Sequence, residues 1–184
     1  MNKLNIQEYL SLGYIYLLLL GIATDAIYFG FLGISILDYS AISDVLLSPV
    51  KLLARNLIVC VILLAIISSL FLYNKWQAGR LKKRGEPEAQ QADLTNKLLL
   101  TACVMVLFFF VGIGLGAGKK NGILLSNGEL KADHQVTFAN GEVLEAKVVG
   151  RNSVYLFYVR PNEKQVIITP IEEHVFQLKK IEQK

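Results

Sequence analysis

The sequence predicts a membrane α-helical protein with three transmembrane helices and a small all-β domain at its C-terminus. Three observations carry that prediction. Apolar runs at Leu10 to Leu37, Leu57 to Tyr73 and Leu98 to Gly118 fill over a third of the 184 residues. Stretches of about 18 or more apolar residues read as membrane-spanning helices, because about 20 residues at ~1.5 Å rise cross a ~30 Å hydrocarbon core. A mean hydropathy of +0.44, with 53% hydrophobic and 18% charged residues, belongs to the membrane class. After Gly118 the pattern changes to short β-rich runs separated by Asn-Gly dipeptides.

The predicted domains are 1–120, with helices at about 10–37, 52–73 and 98–118 and a basic hydrophilic loop at 74–97, and 121–184, the β domain. Met1 to Tyr9 reads as a short interfacial helix. Lys3 and Gly21-Ile22-Ala23 are signal-peptide-like, but the apolar run continues well beyond them, so an uncleaved span is expected. As one straight helix, Leu10 to Leu37 would measure ~42 Å, longer than the bilayer core, and must tilt, kink or protrude. Gly13, Gly21, Gly30 and Gly33 offer places to kink or pack closely, and Tyr14, Tyr16, Tyr28 and Tyr39 suit the interfaces or a polar seam.

Asp38 to Pro49 reads as a short connection, with Pro49 in the first turn of the next helix, where its missing N–H costs nothing. Tyr73 and Trp76 anchor the end of span two at the interface. The basic half of the loop extends span two as helix, Gly85-Glu86-Pro87 turns the chain, and Glu88 to Lys97 leads into span three.

Asn127-Gly128 and Asn140-Gly141 are hairpin-type dipeptides. Strands are predicted at Gln135 to Phe138, Val143 to Val149, Val154 to Val159, Gln165 to Thr169 and Val175 to Lys179. Residues 154–159 are apolar on both faces, as a central strand is. Pro170 to His174 forms a tight turn before the last strand. Five short strands in this order resemble the small SH3-like or Sm-like barrel, a resemblance of fold that implies no chemistry.

The net charge of +4 and the pI near 9.0 do not indicate nucleic acid. From residue 121 onward eight Lys/Arg balance eight Asp/Glu; the surplus lies beside the spans. Seven basic residues (Lys3, Lys75, Arg80, Lys82, Lys83, Arg84, Lys97) face four (Lys51, Arg55, Lys119, Lys120) across the membrane. The positive-inside rule therefore predicts a cytoplasmic N-terminus and loop 74–97, with the β domain outside; the expectation of a bacterial inner membrane rests only on the small, bacterial-looking style of the chain. Arg80, Lys82, Lys83 and Arg84 hold the loop on its side or meet lipid head groups.

Asp25 stands near the middle of span one as the intramembrane polar residue, read either as a proton or cation site or as a packing hydrogen bond. Span three ends in Gly112, Gly114, Gly116 and Gly118; the pairs 112/116 and 114/118 each make a flat strip for helix packing or for lining a shared pore. Cys60 and Cys103 lie inside spans and read as small apolar residues. His134 and His174 have acidic neighbours but no spacing that matches a metal-ligand pattern. No phosphate loop, dinucleotide fingerprint or nucleophile elbow is present, so neither cofactor nor catalytic residues are predicted.

Three spans, a glycine-rich last span and a following β domain are similar in layout to the small-conductance mechanosensitive channels. The chain departs from that family in the position of its basic loop, in the predicted side of its β domain and in lacking the family's large C-terminal domain. No residue role is carried over. The expected function is that of a non-enzymatic membrane protein that self-assembles or docks a protein partner through the β module. The alternatives are a homo-oligomeric pore lined by Asp25 or the span-three glycines, and a membrane-bound sensor.

Overall fold

A computed structural model describes residues 5–83 and 88–181, with side chains described outside 81–95. It contains α1 (Ile6–Gly30), α2 (Ile42–Arg55), α3 (Leu57–Lys83) and α4 (Glu88–Asn127), then β1 (His134–Phe138), β2 (Val143–Arg151), β3 (Tyr155–Val159), β4 (Ile167–Pro170) and β5 (Val175–Lys180). Three of the helices, α1, α3 and α4, are long and apolar enough to cross a membrane. The chain divides into two compact units, residues 1–49 with 113–184, and residues 50–112.

In the first unit, α1 begins at a capping box: the Asn5 amide donates to Glu8 Oε2 at 2.7 Å and the Asn5 side chain caps the helix amides in return. Residues 6–9 are therefore the first turn of α1 rather than a separate interfacial helix. The first apolar run is not one helix either. It stops at Gly30, Gly33 adopts a left-handed backbone, and a turn of 3-10 helix follows at Ile36–Asp38. Leu32, Ile34 and Ile36 alternate inward, a period of two that buries them against the β module. The apolarity of Leu32, Ile34 and Ile36 serves a protein core, while Phe31 and Leu37 are exposed.

The predicted connection 38–49 contains most of a further helix, α2. Pro49 lies inside it, not in a first turn. A proline there removes the N–H that would bond the carbonyl four residues back. That carbonyl belongs to Val45, and it faces Gly21 of α1, where an added Cβ would lie 2.0 Å from its oxygen. The missing side chain on α1 and the missing N–H on α2 fit each other.

The helix α4 ends in a Schellman motif. The Gly128 amide donates to the Leu125 carbonyl at 3.0 Å and the Glu129 amide to the Leu124 carbonyl at 2.8 Å, with Gly128 left-handed. Asn127-Gly128 is thus a helix cap and not a hairpin. Asn140-Gly141 does turn β1 into β2, with Gly141 at φ 85°.

All five predicted strands form, in one antiparallel sheet of order β4-β3-β2-β1-β5. The long strand β2 pairs with β1 through its first half and with β3 through its second, with a register shift between Val148 and Gly150. Among the described residues β4 and β5 pair with no further strand, so the sheet is not closed. On β3, Leu156 and Tyr158 point into one core with Val136 and Ala146. Phe157 and Val159 point into another, shared with Phe29, Leu32, Ile34, Leu125 and Leu130. The doubly apolar pattern of β3 reflects these two cores.

In the second unit, α3 continues past the apolar run to Lys83, as expected of the basic segment. At its end Gln77 donates to the Tyr73 hydroxyl at 2.8 Å, and the Arg80 guanidinium lies 4.4 Å above the Trp76 ring. Phe109 and Phe110 of α4 meet edge to face.

Candidate functional site

The residues with chemical potential fall into three groups. The first surrounds Asp25. Ser48 of α2 donates its hydroxyl to Asp25 Oδ1 at 2.7 Å, and the neighbouring Thr24 satisfies its own hydroxyl on the Leu20 carbonyl. Because α1 ends at Gly30, Asp25 lies only five residues, or ~7.5 Å of helix, from the terminus. It is near an end of the helix rather than in its middle. α2 carries Asp44, Ser48, Lys51 and Arg55 at spacings of four, three and four, a polar stripe along one helix face.

The second group fastens the β module to the helices. Asp44, buried in the first turn of α2, accepts from the Ser153 amide at 3.2 Å and from its hydroxyl. Asn152 donates its side-chain amide to the Tyr39 carbonyl at 2.8 Å. The Tyr28 hydroxyl of α1 donates to the Val149 carbonyl of β2 at 2.9 Å and accepts from Asn121 of α4 at 3.0 Å. Gly150 lets the Phe29 ring in; a Cβ there would lie 2.5 Å from its Cζ. Of these residues the sequence marks Tyr28 and Tyr39 only for an interface or a polar seam, and gives Asp44, Asn121, Gly150, Asn152 and Ser153 no role. The available signal was the helical spacing of Asp44 and Ser48, hidden inside what read as a linker.

The third group lies on the β module. A cleft of about 300 Å³ is lined by Phe138, Asn140, Tyr158, Arg160, Thr169 and His174, among others. Phe138 and Tyr158 supply aromatic walls, with ring centroids 6.1 Å apart, while Arg160 and His174 are exposed. On another part of the module Asp133 accepts from Lys147 Nζ at 2.7 Å and the Val148 amide at 2.9 Å, with His134 Nδ1 at 2.7 Å. Burial pushes the Asp133 carboxyl up, but these hydrogen bonds and the Lys147 charge outweigh it and hold it below 3.8. His174 Nδ1 lies 3.1 Å from the Glu172 carbonyl oxygen. Among the described residues no three His, Cys, Asp or Glu side chains gather where a metal could bind.

The four glycines of α4 separate by face. A Cβ on Gly114 would lie 2.8 Å from the Thr24 carbonyl oxygen, and one on Gly118 would lie 3.1 Å from the Tyr28 Cα and 2.8 Å from the Phe31 ring. Gly122, outside the predicted set, continues this strip against Phe31. Gly112 and Gly116 face open space. Arg80 stacks on Trp76, while the side chains of Lys82 and Lys83, and Arg84 entirely, lie outside the described residues.

Comparison with known proteins finds no matching family model, no matching curated protein and no matching solved structure.

Proposed function

We propose that this chain is a non-enzymatic integral membrane protein that assembles with copies of itself or docks a protein partner through its C-terminal β module. The cleft on that module carries the reading. It joins apolar walls to exposed Arg160, His174, Glu142 and Glu173, on a module braced to α1, α2 and α4 by hydrogen bonds and a shared apolar core. A braced module passes a load on the cleft directly to the helices. The bent β2 strand, shared by both halves of the sheet, supports reading the module as an SH3-like or Sm-like barrel. The Lys/Arg count supports an orientation with the N-terminus and loop 74–97 cytoplasmic and the β module outside, and the small, bacterial-looking style of the chain is the ground for placing it in a bacterial inner membrane.

The test is the mass of the intact complex in native-like lipid, for the wild type and for a variant carrying Arg160→Glu and His174→Glu. A homo-oligomer, or a stoichiometric second protein, that the variant loses supports the reading. A lone wild-type monomer, or a complex the variant leaves intact, overturns it. An intact ring of four or more copies that conducts ions, with selectivity changed by Asp25→Asn, establishes the pore reading in its place.

A further inference from the structure

The helix α2 is amphipathic in the reverse sense for a water-soluble surface. The first half of its polar face is turned inward: Asp44 is only 8% exposed and bonded to Ser153, and Ser48 is bonded to Asp25, while Lys51 and Arg55, further along the same face, are exposed. Its outer face is apolar: Leu47 is 48% exposed and Val50 51%. These two lie three residues apart on one face, with Ala54 four further on. Over these first turns the arrangement exposes apolar surface while hiding Asp44 and Ser48, the opposite of what solvation in water favours, and the two exposed cations at the C-terminal end have the reach to meet lipid head groups.

The neighbours of α2 say what covers that face. Only Asn56 separates it from α3, whose first residues, Leu57 and Ile58, are themselves exposed and begin the second apolar run. Its depth can be read along α1. Gly118 packs on Tyr28, and the next two residues of α4 are Lys119 and Lys120, which mark the end of the apolar run. Ser48 bonds Asp25, three residues or ~4.5 Å below Tyr28, and Val45 meets Gly21, seven residues or ~10.5 Å below it. Interfacial amphipathic helices bury their apolar face ~5–10 Å into the boundary of head groups and acyl chains.

We infer that α2 is an interfacial helix seated in a phospholipid surface, with Leu47 and Val50 among the upper acyl carbons. The inference rests on the membrane reading of α1, α3 and α4. Because its inner face holds Asp25 of α1 and Ser153 of the β module, α2 ties the bilayer surface to that module.

The test replaces Trp76, the chain's single tryptophan, with Phe and places one Trp at a time in the full chain, reconstituted in phosphatidylcholine/phosphatidylglycerol vesicles. Leu47→Trp is compared with Ile62→Trp, on the exposed face of α3, and Val143→Trp, on the β module. The expected result is that lipids brominated at the upper acyl carbons quench Leu47→Trp several-fold more than Val143→Trp, whereas aqueous iodide does the reverse. Quenching of Leu47→Trp by iodide as strong as at Val143 overturns the inference. So does shielding from both quenchers, which is the signature of a second copy on this face. Val50→Trp repeats the reading if Leu47→Trp fails to fold. If Ile62→Trp also escapes the brominated lipid, the membrane reading itself has failed; if Ile62 is quenched and Leu47 is not, only the seating of α2 has.

Discussion

Gly21→Ala tests the contact between α1 and α2 most directly. The new Cβ would lie 2.0 Å from the Val45 carbonyl oxygen and 2.9 Å from its carbon. A carbon and a carbonyl oxygen ordinarily approach no closer than ~3.3 Å, so the two helices must part by about 1.3 Å. The obstacle is backbone and cannot rotate away. Overpacking of this kind costs roughly 1–3 kcal/mol. The same displacement stretches the Ser48–Asp25 bond from 2.7 Å to beyond hydrogen-bonding distance, at a cost of about 1–2 kcal/mol. Alanine's helix propensity returns up to ~1 kcal/mol. The net loss is about 2 kcal/mol. Gly13→Ala is the matched control, since Gly13 lies in the same helix with nothing within 4 Å of its Cβ position. Reversible unfolding of both variants in mixed detergent micelles, titrated with sodium dodecyl sulfate, measures the difference. Equal midpoints for Gly21→Ala and Gly13→Ala would refute the argument that the bare Val45 carbonyl and the bare Gly21 Cα form one contact.

Two further predictions follow from the geometry. On α4, Gly112→Ala and Gly116→Ala should leave the unfolding midpoint unchanged or raised, whereas Gly118→Ala should lower stability by roughly 1–3 kcal/mol, because its Cβ meets the Tyr28 backbone; similar midpoints for all three remove α1 as the partner of this strip. At Asp133, whose carboxyl is held below 3.8, the ionised form is favoured by folding, so its contribution is complete above that value and is lost as pH falls through the lowered folded value. Asp133→Asn should therefore weaken the protein at pH 7 and flatten its loss of stability below pH ~4; an unchanged acid limb in thermal melts at stepped pH would show that the Lys147 and Val148 contacts carry no weight.

Much of the fold was legible in one dimension because the relevant signals are local. Apolar run length sets a long apolar helix, and alternation with turn dipeptides sets a strand, so three long apolar helices and five short strands are legible, the strands within a few residues of their positions, whereas α1 stops at Gly30 and not at Leu37 and α4 continues beyond Gly118 to Asn127. The errors share one physical cause. Run length counts apolar residues without saying what covers them. Leu32, Ile34 and Ile36 read as bilayer-facing, yet they fill the core beneath the β module, and with the helix stopping at Gly30 the position of Asp25 in it changes from central to nearly terminal. Asn127-Gly128 carries the same left-handed geometry whether it turns a hairpin or caps a helix, and only the long α4 before it decides for the cap.

The sequence by itself determined the composition class, the apolar helices, the succession of five strand segments along the chain and the presence of an acidic residue in the first apolar run, because each depends on neighbours within a few residues. Only the tertiary structure decided which glycines meet a backbone, that Asp25 has Ser48 beside it, and that Asp44 and Tyr28 brace the β module. Those contacts join residues 23 to 121 positions apart. At such separations no periodicity records the pairing, and the packing of α1, α2, α4 and the sheet selects it.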